Sequence, residues 1–191
     1  MQKGPLFIVS GPSGSGKSTV IERVLRQSDV PLRVSVSATT RPARPYEIDG
    51  THYHFWSLER FVRERDEGAF LEWAEVHGQY YGTPRSEVEP YRMRGVGVVL
   101  DIDVQGADQV RRVCPESVTV FLRAASFKEY EQRLKGRGED AASIARRLET
   151  ARRELERAKD YQYQIVNEDL DVATRELLAI VHRYFPRETH A

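Results

Sequence analysis

Residues 11–18 read Gly11-Pro12-Ser13-Gly14-Ser15-Gly16-Lys17-Ser18, which satisfies G-x-x-x-x-G-K-[ST] at every position. The spacing suits one kind of chemistry. Glycines let a loop turn tightly, so that backbone N–H groups surround a phosphate with no side chains in the way. A helix starting at the end of the loop adds roughly half a positive charge. Lys17 has the reach for β- and γ-phosphates, the Ser18 hydroxyl can ligate Mg²⁺, and Thr19 continues the helix start toward the α-phosphate. The motif therefore implies an ATP-like triphosphate with Mg²⁺, and it leaves the phosphoryl acceptor open.

The flanking residues supply the elements this loop requires. Residues 6–10 are a continuous apolar run, as in a strand buried on both faces, and 17–27 place Val20, Ile21, Val24 and Leu25 at helical spacing. Further strands are expected at 33–37, 98–103, 118–122 and 163–167, and helices at 58–67, 127–135, 141–159 and 172–185. Residues 39–50 read as a Pro- and Arg-rich loop, and 51–57 as β-prone. Apolar strands separated by helices predict an α/β fold: a parallel sheet of the P-loop NTPase type, flanked by helices. The expected division is a core of 1–32, 92–125 and 160–191, an inserted subdomain of about 33–91, and a helical segment of about 126–159.

Bulk properties exclude several classes. Lys+Arg and Asp+Glu number 29 each in a chain of 191 residues, so there is no overall basic field of the kind that draws in nucleic acid. Cys114 is the only cysteine, which rules out an intramolecular disulfide and fits a reducing cytoplasm. No apolar run reaches 18 residues, and the N-terminal apolar stretch is too short for a signal peptide, so neither membrane nor export is expected. The five histidines show no metal-ligand spacing. Oligomeric state is open.

Eight segments in order, GPSGSGKST at 11, SVSATTRPAR at 35, DGTHYHF at 49, FLEW at 70, YYGTP at 80, LDIDVQGA at 100, RLKGRG at 133 and IVNEDL at 165, resemble the guanylate kinase family over nearly the whole chain. The resemblance implies transfer of the γ-phosphoryl of ATP to GMP, and by extension dGMP. It makes 33–91 a GMP-binding subdomain and 126–159 a lid over ATP. It assigns Arg41, Arg44, Tyr53 and Tyr81 to the GMP phosphate, and arginine forks and tyrosine hydroxyls are suitable donors. It assigns Ser37, Glu72, Thr83 and Asp101 to guanine. A carboxylate can accept from both N1–H and the 2-amino group, and adenine offers neither, so such a site discriminates by about 10⁴ to 10⁵.

Asp101 and Asp103 both end the strand at 98–103, and either could orient the waters of Mg²⁺; Asp103 is the metal assignment, made through water, with helix capping as its competing role. Arg133 and Arg137 are implied to contact ATP, and Asn167 its adenine. Lys17, Arg41, Arg137 and Arg147 are implied to serve the transferring phosphoryl group; the I-x-x-R-L spacing picks out Arg147 over Arg146. Glu168 stands where the family more often has Asp. Two other readings compete. A ribose 1,5-bisphosphate kinase would need no guanine reader. A phosphopeptide-binding scaffold of this fold would typically lack the intact loop.

Overall fold

The computed structural model describes residues 2–76, 78–135 and 141–185. Its centre is a sheet of five parallel strands in the order β2-β7-β1-β8-β9, formed by β1 (Leu6–Ser10), β2 (Leu32–Val34), β7 (Gly97–Asp101), β8 (Val118–Arg123) and β9 (Tyr163–Val166). The strands alternate sides, and β1 shows the consequence. Phe7 and Val9 join one apolar cluster with Val20, Val24, Leu177 and Val181, whereas Leu6 and Ile8 join a second with Val98, Leu100, Ala107 and Val110. The first cluster is closed by α1 (Lys17–Gln27) and α7 (Leu170–Arg183), the second by α4 (Val104–Val113). Burial on both faces is why these strands read as continuous apolar runs.

A second sheet, ordered β4-β3-β6-β5, stands on the other side of the site. It contains β3 (Ala38–Thr39), β4 (His54–Phe55), β5 (Phe70–Val76) and β6 (Gln79–Pro84). It is mixed: β3 and β4 run parallel, and β6 is antiparallel to both β3 and β5. Its core is small. Phe61 from α2 (Leu58–Asp66) stacks on Phe70 with centroids 4.5 Å apart, and Trp56, Tyr80 and Ala38 pack around them. Two short elements return the chain to the central sheet, a 3₁₀ turn at Arg85–Glu87 and α3 (Glu89–Met93). α5 (Phe127–Lys135) and α6 (Ala141–Glu156) form the helical segment beside the phosphate loop.

Differences from the sequence expectation are local. The strand expected at 33–37 covers only Leu32–Val34, because the chain leaves β7 after Ser35 N–H bonds Val99 O and then enters the second sheet. The sequence expectation gives α4 no range, only Asp103 as a candidate cap, because Gly106 interrupts its apolar stripe and only Ala107 and Val110 are buried apolar residues. Its start is nonetheless capped by Asp103, whose carboxylate accepts from Gly106 N–H at 2.8 Å. α7 begins two residues earlier than expected, because Asp169 caps both Asp171 and Val172 N–H.

Candidate active site

The loop at 11–19 connects the end of β1 to α1, and neighbouring elements set its shape. At Gly11 (φ 146°) a Cβ would lie 2.0 Å from Leu122 O of β8, so the first loop residue must be glycine. At Gly16 (φ 91°) a Cβ would lie 2.2 Å from Asn167 Nδ2. The Asn167 amide donates to Ser15 O at 2.8 Å. Arg133 Nη1 donates to Gly14 O and Ser15 O, each at 3.2 Å, and its Nη2 holds Asn167 O and Glu129. Two loop carbonyls are thus satisfied from outside. Because the peptide unit is planar and trans, the Gly16 N–H points away from the anchored Ser15 carbonyl. Lys17 Nζ folds back onto Gly11 O at 2.5 Å.

That cavity measures about 880 Å³ and lies between the two sheets. The whole of 11–19 lines it, together with Ser37, Tyr53, Glu72, Tyr81, Asp101 and Asp103. Arg146, Arg147, Thr150 and Glu154 of α6 line it as well. A smaller cavity of about 280 Å³ borders the other side of the loop, beside Gly14, Gly16, Arg133, Asn167 and Leu170.

Glu72 is a buried carboxylate, 6 % exposed. It faces Thr83 across the β5–β6 pair, and Thr83 Oγ1 donates to its Oε1 at 2.6 Å. Ser37 Oγ stands 3.5 Å from Thr83 Oγ1. Burial pushes the Glu72 carboxyl up to about 7, and the Asp103 charge adds to that rise against the opposing Thr83 hydrogen bond. Gly106 makes room for it: a Cβ there would sit 2.7 Å from Glu72 Oε2. A glycine inside a helix costs about 1 kcal/mol, and here it lets α4 approach the carboxylate.

The two aspartates at the end of β7 have separated roles. Asp101 Oδ2 accepts from Ser18 Oγ at 2.8 Å, which joins the loop hydroxyl to a carboxylate. Asp103 spends Oδ1 on the α4 N-terminus. Both still line the cavity.

The arginines are distributed unevenly. Arg147 Nη1 donates to Ser13 Oγ at 2.9 Å, bringing α6 onto the loop, whereas Arg146 bonds Ser143 of its own helix. Arg41 lies behind the cavity wall, its guanidinium carbon 5.5 Å from the Tyr53 ring centroid, and the Tyr53 and Tyr81 rings meet at 6.1 Å. Arg44 is exposed and its Nη1 donates to Tyr46 OH, so it does not line the cavity. Arg137 lies outside the described residues.

Two carboxylates were not singled out from sequence. Glu47 binds Arg41 through both oxygens. Glu154 follows Arg147 and Thr150 on one face of α6 and faces the cavity; burial raises its carboxyl, with the Lys17 charge opposing. The Arg147, Thr150, Glu154 spacing of three and four residues was the available signal for Glu154.

Comparison with known proteins agrees with this architecture. A family model described as guanylate kinase matches residues 3–184. A guanylate kinase from a Shewanella species is 48 % identical over 180 residues, which is 94 % of this chain and 87 % of the relative. One from Rubrobacter xylanophilus is 46 % identical over 185 residues, covering 96 % of each. The crystal structure of guanylate kinase from Anaplasma phagocytophilum superposes with a TM-score of 0.79 at 31 % identity, over 98 % of this chain and 89 % of that one. The similarity spans both sheets and the helices between them, so this chain belongs to the guanylate kinase family and is an ATP:GMP phosphotransferase.

Proposed function

We propose that MgATP sits on 11–19 and GMP against the second sheet, so that the γ-phosphoryl passes in line between them within the single cavity. The carrying observation is that Glu72, a buried carboxylate, lines the same 880 Å³ space as the entire phosphate loop. On the donor side, Lys17 and the loop N–H groups hold the phosphates, and Thr19 stands near the α-phosphate. The smaller cavity beside Arg133 and Asn167 takes the adenosine end, with Asn167 acting chiefly by holding Ser15 O. Ser18 and Asp101 would hold Mg²⁺ or its waters. Their oxygens are suitable donors for a hard cation. Among the described residues no three His, Cys, Asp or Glu side chains form a metal cage, which fits an ion carried mainly by phosphates and water. The ion, when bound, neutralises charge developing on the β- and γ-oxygens. This moves the metal role from Asp103 to Asp101.

On the acceptor side, an ionised Glu72 accepts from guanine N1–H and the 2-amino group, and Ser37 donates to O6, joined by Thr83 when its hydroxyl turns from Glu72. Tyr53, Tyr81 and Arg41 receive the phosphate, with Arg44 turning in from the loop edge. Asp101 faces both substrates: it bonds Ser18, and its charge is felt at the Tyr53 hydroxyl, which burial already pushes up. Arg147, and Arg137 from the lid, neutralise the transferring group. The attacking GMP phosphate is already an anion, so no general base is required. Closing α6 over the loop excludes the water that would otherwise accept the phosphoryl group. The substrates are small nucleotides and not nucleic acid, and the working compartment is the cytoplasm; no helix among the described residues is long and apolar enough to cross a membrane.

Measuring ADP formation with GMP, dGMP, AMP, UMP, ribose 1,5-bisphosphate or no acceptor tests this reading. GMP and dGMP are expected to be preferred, and preference for any other acceptor would overturn it.

A further inference from the structure

Glu47 has an unusual set of partners for a residue in a surface loop. Its side chain is 6 % exposed, although both neighbours in sequence, Tyr46 and Ile48, are exposed. Oε2 accepts from Arg41 Nη1 at 2.8 Å and from Arg44 N–H at 2.7 Å, and Oε1 accepts from Arg41 Nη2 at 2.9 Å. The backbone closes the same turn, with Glu47 N–H donating to Arg44 O at 2.9 Å. One carboxylate therefore fixes the side chain of the first arginine and the backbone of the second. The Arg41 hydrogen bonds hold its acidity well into the carboxylate form, at about 2.

The geometry leaves Arg41 usable. Its terminal edge is taken by Glu47, and Nη1 also reaches Pro42 O at 2.7 Å. Neither contact uses Nε, and the guanidinium carbon lies 5.5 and 5.7 Å from the Tyr53 and Phe55 ring centroids, with the Tyr81 hydroxyl close by. A long arginine in a Pro-bounded loop has many rotamers, and ordering it on binding costs conformational entropy. A bidentate carboxylate removes that freedom in advance.

We infer that Glu47 is a positioning residue for the acceptor phosphate: it pre-orders the Arg41 guanidinium so that a nucleoside monophosphate meets a fixed cationic site beside Tyr53 and Tyr81. This rests on the reading of Arg41 as a phosphate ligand. The opposite role, an internal anion that competes with the substrate phosphate for Arg41, predicts the reverse sign.

The test is a cycle of Glu47→Gln, Arg41→Ala and the double variant, each assayed for KM of GMP and of ATP and for binding of guanosine, which lacks the phosphate. Glu47→Gln should raise the KM for GMP about tenfold, leave the KM for ATP and the affinity for guanosine unchanged, and have no further effect once Arg41 is Ala. An unchanged or lowered KM for GMP in Glu47→Gln, with Arg41→Ala raising it, overturns the inference and spares the phosphate role of Arg41. Equal loss in the Arg41→Ala background also overturns it, by showing that Glu47 acts through the loop and not through Arg41. An unchanged KM for GMP in Arg41→Ala overturns both readings.

Discussion

Replacing Glu72 by Gln should make the protein more stable and a much poorer enzyme. Gln keeps the size of the side chain, and its carbonyl can still accept from Thr83 Oγ1, now 2.6 Å from Glu72 Oε1. Its other end becomes an amino group facing the N1–H and 2-amino donors of guanine. Two hydrogen bonds to a charged acceptor are lost, each worth about 1.5–3 kcal/mol, so kcat/KM for GMP should fall by about 10² to 10⁴. AMP presents no such donors and should be nearly unaffected, so discrimination collapses. Stability moves the other way. Burial pushes the Glu72 carboxyl up to about 7 in the folded chain, against 4.5 for an ordinary glutamate. The folded state therefore holds a proton that the unfolded chain releases, and stability present below pH 4.5 is lost as pH rises to 7. At pH 8 the ionised group costs about 3 kcal/mol, a cost the amide does not carry. Urea unfolding from pH 4 to 8, paired with steady-state assays on GMP and AMP, measures both effects. The variant should gain stability on the wild type only as pH rises through that window. Retained preference for GMP, or a stability difference that ignores pH, refutes the reasoning.

Other outcomes follow from neighbouring contacts. Gly106→Ala should change stability little, because helix propensity favours Ala by about 1 kcal/mol while its Cβ would press on Glu72 Oε2 at 2.7 Å; the KM for GMP should rise and that for ATP should not, and a rise in both would remove the assignment. Asp101→Asn should raise the Mg²⁺ concentration needed for half-maximal rate, whereas Asp103→Ala should mainly loosen α4 by removing its cap; equal Mg²⁺ dependence in the two variants contradicts the split. Arg147→Ala should lower kcat by about 10³ with GMP affinity held, as read by single-turnover kinetics; a change confined to KM excludes a role in the transfer step. Guanosine affinity should weaken about tenfold per pH unit below 7, because guanine's donors prefer the ionised Glu72. Calorimetry with guanosine avoids the phosphate's own titration, and a flat profile would falsify the claim that Glu72 binds as the anion.

Local chemistry was legible from the chain alone. The phosphate loop could be read because its function lies in backbone geometry, and geometry of that kind demands glycine and lysine at fixed spacing whatever surrounds it. β1 and α1 could be read to the residue for a related reason: burial on two faces and on one stripe leaves different periodicities. The guanine and phosphate residues came from resemblance and not from periodicity, since Glu72 and Arg41 sit in segments with no regular pattern. The extent of α4 was not legible because Gly106 stands where an apolar residue would have marked its stripe, and the reason for that glycine is a carboxylate more than thirty positions away.

The sequence by itself determined the donor chemistry, the α/β class and the set of side chains available to the acceptor. Tertiary structure decided the contacts through which similar side chains divide their work. Asp101 and Asp103 are indistinguishable as letters, yet one bonds the loop serine and the other caps a helix. Arg146 and Arg147 are adjacent, yet one reaches the loop and the other turns back on its own helix. Glu47 reads as one more charge in a solvated loop until folding buries it between two arginines. Hydrogen bonds require distances of about 3 Å and a direction, and only packing of the two sheets against each other sets those across separations of many residues.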